Sequence, residues 1–257
     1  MDYKIRKATH VGRDHIVNLT NCQDAIAVFE GNLQSQQVVA GIVCDGCSSG
    51  KHSETGANLG SAYIIREITR LGRLGVPTKL IPSLIYPNLL GFLRGVLSAY
   101  NFTNASDLAG FINNHLLFTV VGFIITEKDA VCFIAGDGTI VINNDVSLVD
   151  SNNQPKYPAY HLVDRKAVGA AGSLPEDFDT ILLDRRLLKR LAIGSDAWHR
   201  EVELLGQSWE FNHPSGLQRR INQWSKTEHR FSDDVSLITV ELTPTPEMED
   251  PDGSSNQ

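Results

Sequence analysis

The chain predicts an α+β protein in which helices pack outside antiparallel sheets. Three observations carry that expectation. Short segments rich in β-branched residues recur along the chain, some are separated only by turn residues, and long stretches of helical periodicity fall between them. The strand candidates are "AIAVFE" (25–30), "VVAGIVC" (38–44), "LFTVVGFIIT" (117–126), "AVCFIAG" (130–136), "TIVIN" (139–143), "RLAIGS" (190–195) and "VSLITVEL" (235–242). The 117–143 block has only "EKD" and "DG" as connectors, which predicts a three-stranded antiparallel meander.

Helical patterning is clearest over 53–72, where Ala57, Ala62, Ile65, Ile68 and Leu71 fall near one face, Ser53 stands as N-cap and Gly72 as terminator. Further helices are expected over 87–100, 106–116 and 214–227, the last with proline at its opening.

With 257 residues, 42% hydrophobic and 21% charged, the chain suits one large domain that buries a full core. We assign that domain to residues 1–242. Residues 243–257, "TPTPEMEDPDGSSNQ", hold four acids, no base and three prolines, and read as a disordered acidic tail. A net charge of -7 argues against broad attraction to nucleic acid or to an anionic membrane. The longest uninterrupted apolar run, Leu116 to Ile125, is roughly half of a membrane span, and "MDYKIRKATH" is no signal peptide. A soluble, cytoplasmic protein is the expectation, with oligomeric state left open. Cys22, Cys44, Cys47 and Cys132 read as reduced thiols rather than a disulfide framework.

"GIVCDGCSSGKH" (41–52) offers competing chemistries. Its Cys44-x-x-Cys47 pair lacks a thioredoxin-type helix start, and two more soft ligands for zinc are not nearby. As a phosphate loop it is one residue short, with His52 where a Ser or Thr is needed. Asp45-Gly46 remains, and Asp45 has company. Asp24 opens one strand, Asp45, Asp137 and Asp196 close others, and Asp233 and Asp234 open the last. A single acid at a strand end is ordinary turn chemistry. Several facing one another repel, and a bound cation relieves that repulsion. An all-oxygen donor set suits Mg²⁺ or Mn²⁺, and a pair of such ions hydrolyses phosphoesters without a Ser, Cys or His nucleophile.

The segments "CQDAIAVFE", "VVAGIVCDGCSSG", "FIAGDGTIVINND", "LAIGSDAW" and "FSDDVSLITVEL" resemble, in order and approximate spacing from Gly12 to Leu242, the motifs of the PP2C-type (PPM) metal-dependent protein phosphatases. His15 with "CQDA" is similar to a divergent bacterial subgroup. The resemblance implies a central sandwich of two antiparallel sheets flanked by helix pairs. It further implies a protein serine/threonine phosphatase in which a water bridging two Mg²⁺ or Mn²⁺ ions attacks phosphorus, with a third, weaker ion as in bacterial members. By the same resemblance Asp45 bridges the metals, the Gly46 carbonyl and Asp24 hold one, Asp196 and Asp233 hold the other, and Asp137 helps with the third. Asp45 and Asp196 are the residues on which catalysis rests. Asp233 is favoured over Asp234, which stands where the family has Asn.

The chain departs from the family pattern at four points. Leu19 replaces a phosphate-holding Arg, so Arg13, His15, Lys51 and His52 become candidates for substrate binding. "DGCSS" replaces "DGMGG", which puts Cys47 where some members carry a His; His15, His52, His199 or a metal-bound water is left to protonate the leaving group. Gly138-Thr139 replaces Ser-Arg, and Ala197 replaces Gly. Residues 151–179 fall where the family has a mobile flap. A phosphorylated protein is the expected partner. The alternatives are a PP2C-like binding module with little or no turnover, and a redox or zinc protein.

Overall fold

The computed structural model describes residues 1–152, 155–163, 174 and 176–243. Among the described residues ten strands form two five-stranded antiparallel sheets. One sheet has the order β1 (Tyr3–His10), β10 (Val235–Leu242), β9 (Arg190–Gly194), β6 (Gly138–Ile142), β7 (Asp145–Val149). The other has the order β2 (Ala25–Leu33), β3 (Gln36–Cys44), β4 (Val120–Thr126), β5 (Ala130–Ala135), β8 (Asp179–Leu183). Five α-helices accompany them: α1 (Arg13–Asn18), α2 (Glu54–Arg73), α3 (Ile81–Ser98), α4 (Ala105–His115) and α5 (Gly216–Lys226).

Three apolar clusters define the layers. Val39, Val43, Val121, Phe123, Ile140, Ile193 and Ile238 fill the space between the sheets. Ile42, Ile64, Ile68, Ile85, Leu89, Leu93, Phe118 and Phe133 glue α2 and α3 to the outer face of the β3 sheet. Trp198, Leu217, Ile221, Trp224 and Leu237 do the same for α5 on the β10 sheet. Central strands thus bury both faces, which is why they read as continuous apolar runs. Each fully buried Leu, Ile or Phe contributes about 1.5–3 kcal/mol before the entropy of ordering it is set against it.

The layered α+β architecture agrees with the sequence, and four details do not. The meander over 117–143 is not formed: β4 and β5 pair in one sheet, while β6 pairs with β9 and β7 in the other. The chain crosses at Gly136 (φ +87°) and Asp137, and because β5 is apolar on both faces its pattern does not say where the next strand goes. The buried face of α2 runs through Ala57, Gly60, Ser61, Ile64, Ile68 and Leu71, leaving Ala62 exposed, and no side-chain bond caps it at Ser53. Helix α3 begins at Ile81 rather than at Pro87, which lies inside it with its ring exposed. Finally, Thr78–Ser98 is a helical stretch long and apolar enough by length and composition to cross a membrane; Pro, Ser, Tyr and Asn interrupt it in the sequence, and Ile85, Leu89 and Leu93 pack it into the domain core.

The domain described ends at Thr243, whose N–H donates to the Asp2 carbonyl (3.0 Å) beside β1. The acidic tail beyond it lies outside the described residues, as do 153–154, 164–173 and 175 of the segment expected to be a flap. Within that segment a 3-10 turn over Pro158–Leu162 lies against α3 with Tyr157, Pro158 and Ala159 buried.

Candidate metal centre

Strand register decides which acids meet. Ala25 pairs with Cys44, so Asp24 and Asp45 leave β2 and β3 side by side. In the other sheet Leu237 pairs with Gly194, and Ser195 N–H donates to Ser236 O (3.2 Å), which sets Asp196 beside the start of β10. Thr139 also pairs with Gly194, bringing Asp137 to the same edge. His10 pairs with Val235, so Gly12 and α1 follow directly onto Asp233 and Asp234. All of these positions lie at one end of the sandwich.

Gly46 is fixed by close approach. A Cβ there would come within 2.7 Å of Ser53 Oγ and 2.8 Å of the Gln23 carbonyl. Its N–H donates to that carbonyl (3.2 Å), and Thr119 N–H donates to the Asp45 carbonyl (2.8 Å), so the turn after β3 is held from both sides. Gly12 is equally restricted, since a Cβ would fall 2.2 Å from the Asp233 carbonyl carbon.

The carboxylates differ in their surroundings. Asp24 is 6% exposed, and neither of its oxygens has an aligned hydrogen-bond partner. Burial, and then the charge of Asp234, push its carboxyl up to about 8, with the nearby Ser236 and Ser195 hydroxyls pulling the other way. Asp45 is raised well above the usual range, first by burial and then by Asp24, Asp196, Asp233 and Asp234. Asp196 is raised by burial and by Asp233, with His199 opposing. These are like charges packed together without cations, the condition that divalent ions relieve.

Asp233 and Asp234 point to different tasks. Asp234 is 3% exposed; Oδ1 accepts from Gly12 N–H (2.6 Å) and Oδ2 from Gln23 N–H (2.5 Å). Its lone pairs tie the end of β1 and the approach to β2 onto β10. Asp233 has a side chain 51% exposed and lines a cleft of about 390 Å³ with Asp137, Asp150, Asp196 and His199. Asp137 is steadied by Ser151, whose N–H and hydroxyl both donate to Oδ1 (2.8 and 2.5 Å).

The candidate substrate residues are less closely gathered. Arg13 opens α1, its N–H donating to the Phe231 carbonyl (3.3 Å) and its exposed guanidinium lying 3.5 Å from Asp14. His15 is buried against Asp233 and Asp234. Lys51 is exposed beside Gly50, whose carbonyl accepts from Gln23 Nε2 (2.8 Å). His52 stacks on His115 and faces Glu54. Leu19 closes α1 in a left-handed conformation (φ 56°) and is 94% exposed.

Sequence reasoning missed several neighbours. Asp150 follows β7, a five-residue strand exposed along nearly its whole length. Ser195 and Ser236, beside Asp24, lie within "LAIGSDAW" and "FSDDVSLITVEL" but were not singled out there. Cys47 meets Tyr157, whose phenol is raised by burial and by that thiol. The redox reading finds no support: all four cysteines are free, Cys44 is fully buried, and burial with Asp24 nearby pushes the Cys22 thiol up to about 12.

A family model described as protein phosphatase 2C matches residues 11–160. No curated protein sequence matches. Among solved structures the chain is similar to a bacterial serine phosphatase (14% identity, 95% of this chain and 99% of that one, TM-score 0.61). It is also similar to the serine/threonine phosphatase Stp1 from Staphylococcus aureus (14%, 95% and 96%, TM-score 0.58). The catalytic domain of the serine/threonine protein phosphatase PstP, solved in complex with two manganese ions, is a further match (12%, 93% and 97%, TM-score 0.57). At these identities the likeness speaks to the fold.

Proposed function

Because the chain belongs to the protein phosphatase 2C family, we propose that it hydrolyses phosphoserine and phosphothreonine in proteins, with Asp24, Asp45, Gly46, Asp137, Asp196 and Asp233 holding Mg²⁺ or Mn²⁺. The observation that carries this is Asp24: a buried carboxylate with no aligned hydrogen bond to either oxygen and only the Ser195 and Ser236 hydroxyls nearby, beside other acids whose protons burial and mutual repulsion retain. Such a group is costly unless a cation completes it. The donors are oxygens, which suits hard divalent ions.

When bound, the ions supply Lewis acidity, which activates water near neutral pH and offsets charge developing on the phosphoryl oxygens. The chain's residues prepare the place. Asp45 and Asp196 come from opposite sheets and face each other across the centre. Asp234 holds the backbone before β2, and so the position of Asp24. His199, whose Nε2 lies 3.0 Å from the Gly138 carbonyl, stands beside Asp196 in the cleft and is placed to move a proton there. Asp233, half exposed, lines the cleft where a phosphoprotein would enter.

Asp45→Asn and Asp196→Asn test the reading. Each should lower Mn²⁺-stimulated hydrolysis of p-nitrophenyl phosphate and of a phosphopeptide by at least about 100-fold, since even residues that only orient metal ligands cost 10–100-fold. Activity that survives both changes would overturn the two-ion mechanism. A metal-binding module without turnover is the competing reading, favoured by exposed, uncharged Leu19 at the position of the family's phosphate Arg. It predicts calorimetric Mn²⁺ binding beside a silent phosphatase assay.

A further inference from the structure

We infer that His15 is a ligand of the ion held by Asp233, which makes this centre a mixed imidazole and carboxylate site that selects Mn²⁺ over Mg²⁺. The inference rests on the metal-centre reading above and extends it to a nitrogen donor. His15 is 9% exposed, so its ring is committed to the interior. Nδ1 lies 2.9 Å from Asp234 Oδ2 and Nε2 lies 3.9 Å from Asp233 Oδ1. The ligand atoms of His15, Asp233 and Asp234 all fall within 4.8 Å of one another.

A histidine buried for packing alone would be expected to satisfy its nitrogens. Here Nδ1 approaches Asp234 off the line of a directed hydrogen bond and counts as unpartnered despite the short distance. Nε2 stands too far from Asp233 for a hydrogen bond, but the gap suits an atom between them. Two metal-ligand bonds of about 2.1 Å each span it with little adjustment. Asp234 is the wrong residue for that ion, because Gly12 N–H and Gln23 N–H already occupy its oxygens. It stands 2.9 Å from Nδ1 and so flanks the ring at its other nitrogen.

Helix α1 is built to hold the ring there. Asp14 N–H donates to the Ser232 carbonyl (3.0 Å) and Arg13 N–H to the Phe231 carbonyl, binding the helix to the residues just before Asp233. Thr20 N–H donates to the His15 carbonyl (2.9 Å), which fixes the backbone from the other side. Mg²⁺ is a hard ion that keeps oxygen ligands and waters, whereas Mn²⁺, at the weak end of the first-row series, tolerates a nitrogen among its oxygens, so one imidazole shifts the preference between two ions of like charge.

The test uses the full chain stripped with EDTA. Pulsed electron paramagnetic resonance of the Mn²⁺-loaded protein should show ¹⁴N coupling from a directly bound imidazole, and His15→Gln should abolish it. By titration calorimetry His15→Gln should weaken Mn²⁺ about 10-fold or more while leaving Mg²⁺ nearly unchanged. Absence of ¹⁴N coupling in the wild-type protein, which needs no variant to fold, overturns the inference and leaves the carboxylate centre intact. Equal loss of both ions in His15→Gln overturns it too, assigning the residue a structural part. A wild-type chain that binds neither ion overturns the underlying centre itself.

Discussion

Asp24→Asn should stabilise the metal-free protein at neutral and alkaline pH while removing its response to metal. Asp24 has its carboxyl raised from 3.8 to about 8, mainly by burial. The proton is therefore held more tightly in the folded chain than in the unfolded one. The favourable contribution of that bound proton is complete below pH 3.8 and is lost as pH rises to about 8, so stability falls across that window. At about 1.4 kcal/mol per pKa unit, the loss at pH 7 is of order 4 kcal/mol. Asparagine keeps the shape and carries no charge, so the variant should hold its stability across the window. In EDTA at pH 7 its Tm should exceed wild type by roughly 8–16 °C, for a domain of this size gaining 2–4 °C per kcal/mol. Mn²⁺ at 100 times Kd should then stabilise wild type by about 2.7 kcal/mol, a shift the variant largely lacks. Differential scanning calorimetry from pH 4.5 to 8.5, with EDTA and with Mn²⁺, reads both effects. The reasoning is refuted if Asp24→Asn lowers the metal-free Tm equally at both ends of that range.

Further outcomes follow from particular contacts. Asp234→Asn leaves one acceptor for two buried N–H groups and should cost about 1–3 kcal/mol in urea unfolding; an unchanged midpoint would mean that Gly12 and Gln23 are held by other means. Gly46→Ala drives a Cβ into Ser53 and the Gln23 carbonyl, and should cost about 1–3 kcal/mol together with weaker Mn²⁺ binding by calorimetry. Leu19→Arg restores a cation at an exposed position, and should lower KM for a phosphopeptide by up to about fivefold with little change in Tm. A KM that stays put would show that this loop does not face the substrate.

The strands that the sequence reading overlooked share one property. β1, β7 and β8 are each at the edge of a sheet, and β7 and β8 are exposed along nearly their whole length. β8 has no alternation, and the alternation of β7, Val146 and Leu148, spans only five residues and marks no buried face. β1 is disguised further by Arg6, which is buried only because it pairs with Glu241 (3.0 Å), far along the chain. Helix α1 is six residues long, too short for a helical period to register. Central strands and α2, by contrast, show their burial directly in their composition. The acids were legible because each sits where an apolar run starts or stops, and register then gathers strand ends into one place. Their exposure was not legible, since it depends on which backbone amides come from elsewhere.

Asp234 shows why such a departure from the family pattern can be coherent. An Asn at this position offers one acceptor oxygen, whereas the carboxylate offers two, and both are used by amides from separate segments. The added charge raises the electrostatic cost of Asp24 and Asp45, which both feel it. That cost falls on the metal-free state alone, because cations at the centre are attracted by the same charge. The substitution therefore tightens the frame around β2 and β10, and makes the folded chain depend more heavily on its ions. A protein arranged in this way should be conspicuously less stable in chelator than a family member with Asn there, and should recover more on metal addition.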